Sequence, residues 1–481
     1  MGKLKVNIRD FTSGDVVAAK AQVLSSSGQY LSPIESVKKV GTGDPFFYSD
    51  GVFELDVASG PARITIERGT EYSPKVIYID IPASGLKSID VEIERWNDLP
   101  EKGWHPGNTH IHYDEKEKNP DKRLYLDPRV EDLRMTAISI LKRWDLEYAT
   151  NKYPLGFLNE YSSEHHYVQN GEESRHNKAP WDIGYGHIML LDIKNVVEPL
   201  SRGLLVDAFD ADYPPLSYAC DDAHRQGATV IWCHNGQGME APVAAILGKV
   251  DAFNLFDPNW IDVEYKIYYE MLNAGIKMPA STGSDWYICS ANRVYSHSQK
   301  KFDYRSWLDS FRSGKTFITN GPALFFTIDD VGPGATIRTD PGRMLSAHLS
   351  WKSHYRVQSI EVVKNGVVIY SDKFPEGKTE GDVRLDVESS DDGWMAARLF
   401  SDVRDSYLQP QFAHTSPIYI ETGNISPEFI ESSKKFHQAI EKSLDWVGNK
   451  GRFYSDKQRK EIQDLYLEGA SIYLQQSKLE R

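Results

Sequence analysis

Three times between residues 217 and 321 the chain repeats one rhythm: a helix-like stretch, a glycine, then a short apolar run. SYACDDAHRQG leads into ATVIWCHNG, VEYKIYYEMLNAG into IKMPASTGSD, and YRSWLDSFRSG into KTFITNG. Each glycine stands where a helix C-terminus needs the left-handed conformation. Repeated α-then-β units imply a mostly parallel sheet, open or closed into a barrel.

On either side this rhythm is absent. From Val6 to about Trp96 the runs VFELDV, ARITIE, KVIYIDI and SIDVEIE are short, β-branched and broken by Gly, Pro and Ser, which predicts a small antiparallel β-sandwich. NDLPEKGWHPG reads as a turn-rich linker. From Ala323 to Thr422 strands return in LFFTIDD, SAHLSWK, SIEVVKNGVVIY, WMAARLFS and PIYIET. KNGV there reads as a type I′ hairpin turn, and a second β-sandwich fits. After Asn424 two helical stretches, SPEFIESSKKFHQAIEKSLDWV and SDKQRKEIQDLYLEGASIYLQQ, each open on a serine that can cap. The expected organisation is multidomain α/β plus β: a sandwich over 1–98, an α/β unit over 99–322, a second sandwich over 323–422 and a helical hairpin over 423–481. A chain of 481 residues has room for roughly three domains of about 150 residues.

The chemistry gathers in the α/β unit. GNTHIHYD carries His110 and His112, and residues i and i+2 of a strand point the same way, so both rings can face one cation. His234 follows the apolar strand in ATVIWCHNG and Asp285 follows another in ASTGSDW. Carboxyl ends of strands form the reactive face of parallel α/β folds. His187, in GHIMLLDI, opens its strand instead, and periodicity does not explain how it would reach that face. GEESRH offers Glu172 and Glu173, either of which could bridge two cations; spacing does not choose between them. Zinc, manganese and iron all accept imidazole nitrogen with carboxylate oxygen.

A net charge of −14 argues against nucleic acid as a bulk partner. No apolar run approaches the ~18–20 residues of a membrane helix. MGKLKVNIRD has no hydrophobic core of a signal peptide as written; the compartment is open, and extracytoplasmic if a leader was removed. Cys220, Cys233 and Cys289 are an odd, sparse set, neither a disulfide framework nor a zinc ribbon.

The α/β unit resembles a PHP (polymerase and histidinol phosphatase) domain, and residues 5 to 422 together resemble the CehA/McbA group of PHP metallohydrolases. The points of likeness are the HxH of GNTHIH, the G-x-E of Gly171-Glu172-Glu173, the GHIMLL strand, the strand ending in His234, and Gly283-Ser284-Asp285. GKTFITNGPALFFTI is similar to that group's exit from the barrel. TSGDVVAAKAQV, YSDGVFELDV and ARITIERGTEYSP are similar to a carboxypeptidase regulatory-like β domain. The resemblance implies a distorted (β/α)7 barrel holding two divalent ions, zinc first, with manganese or iron as alternatives. It implies Glu173 as the bridging carboxylate, His110, His112 and Asp285 completing one site, and His187 and His234 the other. Fuller members hold a third metal through histidines where this chain has Arg143–Trp144 and Tyr287, so a third site is not expected.

The implied activity is hydrolysis of an ester-type bond, phosphoester or carboxyl or carbamate ester, in a small-molecule or glycan-like substrate. Arg143 or Arg175 is the expected stabiliser of developing negative charge. His165, His166 and His176 are expected to be solvated, His105 to pack, and His224 to lie at the surface. Two other classes compete: an amidohydrolase-type C–N hydrolase, which needs a barrel lysine in place of the G-x-E bridge, and a non-catalytic binding protein on the same scaffold.

Overall fold

The computed structural model describes residues 2–141, 147–178, 182–199, 211–256 and 264–479. Among them, seven strands curl into the barrel: Trp104–Ile111, Met135–Ile140, Tyr167–Lys178, Asp182–Leu191, Thr229–Trp232, Ala252–Asn254 and Ala280–Ser281. The first three pair in parallel, as do the last three. Closure comes from a parallel bridge between Ile111 and Asp285 and from Ser284 and Asp285 N–H donating to the His110 carbonyl at 2.9 and 2.8 Å.

The fourth strand is the exception in a mostly parallel barrel, pairing antiparallel with both neighbours. The third strand ends at Lys178 and the fourth begins at Asp182, too close for the crossover of a dozen or more residues that a parallel pair requires. One strand therefore starts at the end of the barrel where the others finish.

The helix–glycine–strand units form as read. Helices Leu216–Arg225, Lys266–Asn273 and Tyr304–Arg312 are followed by Gly227, Gly275 and Gly314 at φ of 82°, 83° and 78°. The helices bury Ala219, Tyr268, Met271, Trp307 and Phe311 against Ile231, Trp232 and Phe253 of the barrel wall. The third unit, however, sends its strand outward. Thr316–Thr319 pairs with Arg293–His297 on one side and with Pro410–Thr415 on the other. Arg293–His297 pairs in turn with the first barrel strand. The C-terminal β module is thus continuous with the barrel sheet, with its own core around Leu324, Leu349, Trp351, Ile360, Met395 and Ile418. Its long hairpin turns at Asn365 and Gly366, both at positive φ (51° and 83°), as a type I′ turn requires.

The N-terminal module packs a three-stranded sheet and a five-stranded sheet around Leu4, Val6, Val23, Ile64, Ile66 and Val91. It meets the barrel through an apolar patch, Ala18, Val37 and Tyr48 on Leu126 and Val130, and through buried charge. Glu131 lies between Lys20 (3.2 Å) and Arg293 (3.1 Å), and Asp132 between Arg68 (2.7 Å) and Arg95 (2.5 Å). Helices Pro427–Asn449 and Asp456–Gln476 form the terminal hairpin. Ser426 and Ser455 cap them, their hydroxyls accepting from the N–H of Phe429 and Gln458. The second helix packs on the barrel, where Tyr473 donates its hydroxyl to the Pro242 carbonyl at 2.9 Å. No helix among the described residues is long and apolar enough to cross a membrane.

Candidate metal centre

His110 and His112 leave the first strand on one face, their Nε2 atoms 3.1 Å apart. Asp285 Oδ1 approaches them at 3.5 and 3.7 Å. Gly283 permits this closeness, and Gly171 permits another on the strand that carries Glu173. A Cβ at Gly283 would sit 2.4 Å from the His110 Cβ, and one at Gly171 would sit 2.2 Å from the Leu190 carbonyl oxygen. The glycines of the GSD and G-x-E motifs therefore serve close approach of neighbouring strands.

Glu173 sits between two sets of imidazoles. Its Oε2 lies 2.7 Å from His112 Nε2 and 3.9 Å from His110 Nε2. Its Oε1 lies 3.2 Å from His187 Nδ1 and 3.5 Å from His234 Nε2. Glu172 faces the other way, where its carboxylate accepts the Val197 N–H at 3.0 Å, as alternation along a strand demands. His187 does not open its strand but lies within Asp182–Leu191, and it reaches the cluster because that strand runs antiparallel to the one carrying Glu173. His234 and Asp285 arrive by another route, at φ of 55° and 47°, left-handed conformations costing non-glycine residues roughly 1–2 kcal/mol each. Strain of that kind persists where surrounding structure over-determines it, often at functional sites.

The hydrogen bonds on the far side of two rings decide what the near side can do. The Ser139 hydroxyl donates to the Ile111 carbonyl at 3.2 Å, so at 3.0 Å it accepts the His112 Nδ1–H. His112 Nε2 then turns a lone pair on Glu173. The Asn177 amide oxygen accepts from His187 Nε2 at 2.7 Å, which leaves the Nδ1 lone pair facing Glu173 Oε1. Both atoms of that second contact are buried without a hydrogen-bond partner. Burial lowers the pKa of both rings, to about 3 for His187, where Arg175 adds to the effect. Burial also works against ionisation of Glu173, but the Arg175 guanidinium beside it holds that carboxyl well below its usual range. Neutral imidazoles with lone pairs aimed at a carboxylate repel one another unless cations lie between. Such outward hydrogen bonds are how metal-ligating histidines are oriented. The donor set fits divalent metal.

Two overlapping groups have all their donor atoms within 4.8 Å of one another: His110, His112 and Asp285, and His110, Glu173, Cys233 and His234. His187 joins through Glu173. The chain therefore carries two adjacent potential metal sites of PHP-like composition on a mixed α/β barrel with flanking β-sheets.

The other sequence candidates fall elsewhere. Arg143, with Trp144, lies outside the described residues. Arg175, two residues beyond Glu173 on the same face, places its guanidinium on the Glu173 carboxylate. Of the three histidines expected to be solvated only His165 is exposed; His166 bonds the Leu133 carbonyl at 2.6 Å, and His176 is buried 3.2 Å from Asp212. His105 is buried against Phe302, with Nε2 2.7 Å from the Gln299 carbonyl oxygen. His224 pairs with Asp251 at the half-exposed edge of its helix. Tyr287 stacks towards Tyr407 over Gly41.

Four residues of the site escaped sequence reasoning: Ser139, Asn177, Cys233 and Trp286, whose indole stacks on His112 at 4.6 Å. Trp286 directly follows Asp285, which was a usable signal. Ser139 and Asn177 carry none, since they act across strand pairs. No family model and no curated protein matches this chain.

Proposed function

We propose that this chain is a dinuclear metal-dependent hydrolase of ester-type bonds, of the CehA/McbA kind among PHP proteins, acting on a small-molecule or glycan-like ester. The observation that carries the reading is the position of Glu173, with each carboxylate oxygen turned to a different pair of imidazoles. One carboxylate shared in this way is the usual means of holding two cations about 3.5–4 Å apart. In this reading His110, His112 and Asp285 serve one site, His187 and His234 the other, and Glu173 both. Cations held there would supply Lewis acidity and a water made nucleophilic near neutral pH.

The chain's own residues orient and enclose. Ser139 and Asn177 fix two rings, Trp286 covers the His112 ring, and burial of the cluster keeps bulk water from screening it. Arg175 balances the Glu173 charge and is placed to turn towards an anion developing beside it. The shared position is filled by Glu173 and not by a lysine, which favours this reading over an amidohydrolase. A phosphodiester and a carboxyl or carbamate ester both suit the chemistry.

Metal stoichiometry on two variants tests the reading. Two dications about 4 Å apart repel by more than ~4 kcal/mol even at an effective dielectric of about 20, so the bridge needs its negative charge. Glu173→Gln should lose at least one of two equivalents of metal and nearly all hydrolysis of chromogenic phosphodiester and carboxyl ester probes. Glu172→Gln should keep its metal, with at most about a 10–100-fold loss of activity. Chelator should abolish the activity, and zinc or manganese restore it. A fully active protein with one equivalent, or a Glu172→Gln variant that loses metal while Glu173→Gln keeps it, would sink the assignment. A protein that binds no metal would be a binding module.

A further inference from the structure

We propose that Cys233 is a thiolate ligand in the half of the centre served by Glu173 and His234, and that it biases that half towards a thiophilic cation such as zinc or cobalt over manganese or magnesium; this rests on the metal-centre reading above. Cys233 is fully buried, and its sulfur belongs to the same 4.8 Å cluster as donor atoms of His110, Glu173 and His234.

Strand geometry alone would forbid Cys233 and His234 from serving one site, because adjacent side chains of an extended chain face opposite ways. The chain breaks the alternation at this step. Cys233, directly after the fifth barrel strand, is still extended, at φ −88° and ψ 167°. His234 then turns to φ 55° and Asn235 to φ 56°, which swings the imidazole back to the side the thiol already faces. The strain at His234 thus brings two consecutive donors to one place.

A second observation points to the same space. Glu173 Oε1 is buried and accepts no hydrogen bond, so the nearby thiol does not satisfy it as a donor. The sulfur instead lies 3.7 Å from the Ile231 carbonyl oxygen, a weak contact that it can give up. On coordination the S–H bond breaks heterolytically, the electron pair stays on sulfur as the donor pair, and the proton leaves to solvent. Thiolate donors favour zinc, whereas carboxylate and water suit manganese and magnesium. A mixed set with one sulfur therefore discriminates where an all-nitrogen and oxygen set would not. Cys220 and Cys289 are also buried, but neither belongs to a metal-ligating cluster among the described residues. They serve as internal controls.

The experiment strips the full-length protein with chelator and reloads it with cobalt(II). Wild type should show a sulfur-to-cobalt charge-transfer absorption in the near ultraviolet. Cys220→Ser should keep the band, and Cys233→Ser should lose it while retaining the visible bands of cobalt on nitrogen and oxygen. In zinc–manganese competition, Cys233→Ser should lower the zinc preference by at least the 10–100-fold typical of perturbing a metal ligand's surroundings. Cobalt bound by wild type with no sulfur band overturns this proposal and leaves the metal centre standing. Failure to bind any divalent cation overturns the metal centre and this proposal with it. If Cys233→Ser does not fold, a sulfur band that survives in both Cys220→Ser and Cys289→Ser still assigns it to Cys233.

Discussion

The two β modules look alike in sequence, both being short apolar runs broken by turn residues, yet different forces join them to the barrel. The C-terminal module is tied by main chain. Phe317, Ile318 and Thr319 pair with Thr415, His414 and Ala413, so the barrel sheet becomes the module's sheet without an edge. The N-terminal module has its own two sheets and is joined by side chains alone: an apolar patch of Ala18, Val37 and Tyr48 on Leu126 and Val130, and the buried charges around Glu131 and Asp132. A shared sheet transmits distortion because ladder hydrogen bonds are lost in rows. Paired buried charges are exacting instead about chemistry, since removing one partner strands the other without water.

The largest expected effect tests the shared sheet. Ile318 is fully buried in a strand paired on both sides. Ile318→Pro puts a residue that a central strand does not accept between two paired neighbours and should cost more than ~5 kcal/mol. Hydrogen exchange should then show amide protection lost together in the barrel and in Gly393–Arg404 of the C-terminal module, while the N-terminal sheets stay protected. Persistence of the Gly393–Arg404 amides alone would mean that the sheet is continuous in geometry but not in energy.

The charged junction should respond next. Glu131→Gln leaves Lys20 and Arg293 short of a buried counter-charge and should cost ~3–5 kcal/mol in urea unfolding. Cleavage in the linker near Asp98 should quicken under limited proteolysis, and metal content should not change. A shift below ~1 kcal/mol would mean that packing, not charge, holds the module.

The smallest effect supplies the control. Lys277 and Glu421 also cross between barrel and C-terminal module, 2.8 Å apart, but with 47% and 37% of their side chains exposed. Lys277→Ala should change stability by less than ~1 kcal/mol, and by less still in high salt. A loss as large as that of Glu131→Gln would erase the distinction between buried and exposed charge on which the comparison stands.

Much of this architecture was legible in the sequence. The glycine-closed helices, the NG turn at Asn365–Gly366 and the serine caps at Ser426 and Ser455 are local signals, set by backbone conformation within a few residues. The clustering of His110, His112, His234 and Asp285 was legible because strand ends in α/β folds converge. His187 resisted, because its position depends on which way a strand runs, and direction is decided by the connection before it. Cys233 resisted because alternation predicts the wrong face, and only the backbone turn at His234 corrects it. The sheet shared with the C-terminal module was hidden for a similar reason: the strand pattern marks where strands are, not which neighbours they choose.

Glu131 and Asp132 are consecutive, yet each faces a different set of cations. Asp132 takes φ 53° to do so. For anyone recombining such proteins, this pair marks where a simple cut would fail. A barrel grafted onto an unrelated sandwich would carry two carboxylates in its wall with no lysine or arginine opposite, and Arg293 would be left to serve Glu131 alone. The transferable unit is the sandwich together with the acidic pair it was fitted to. A graft succeeds only when those two positions are rewritten along with the seam.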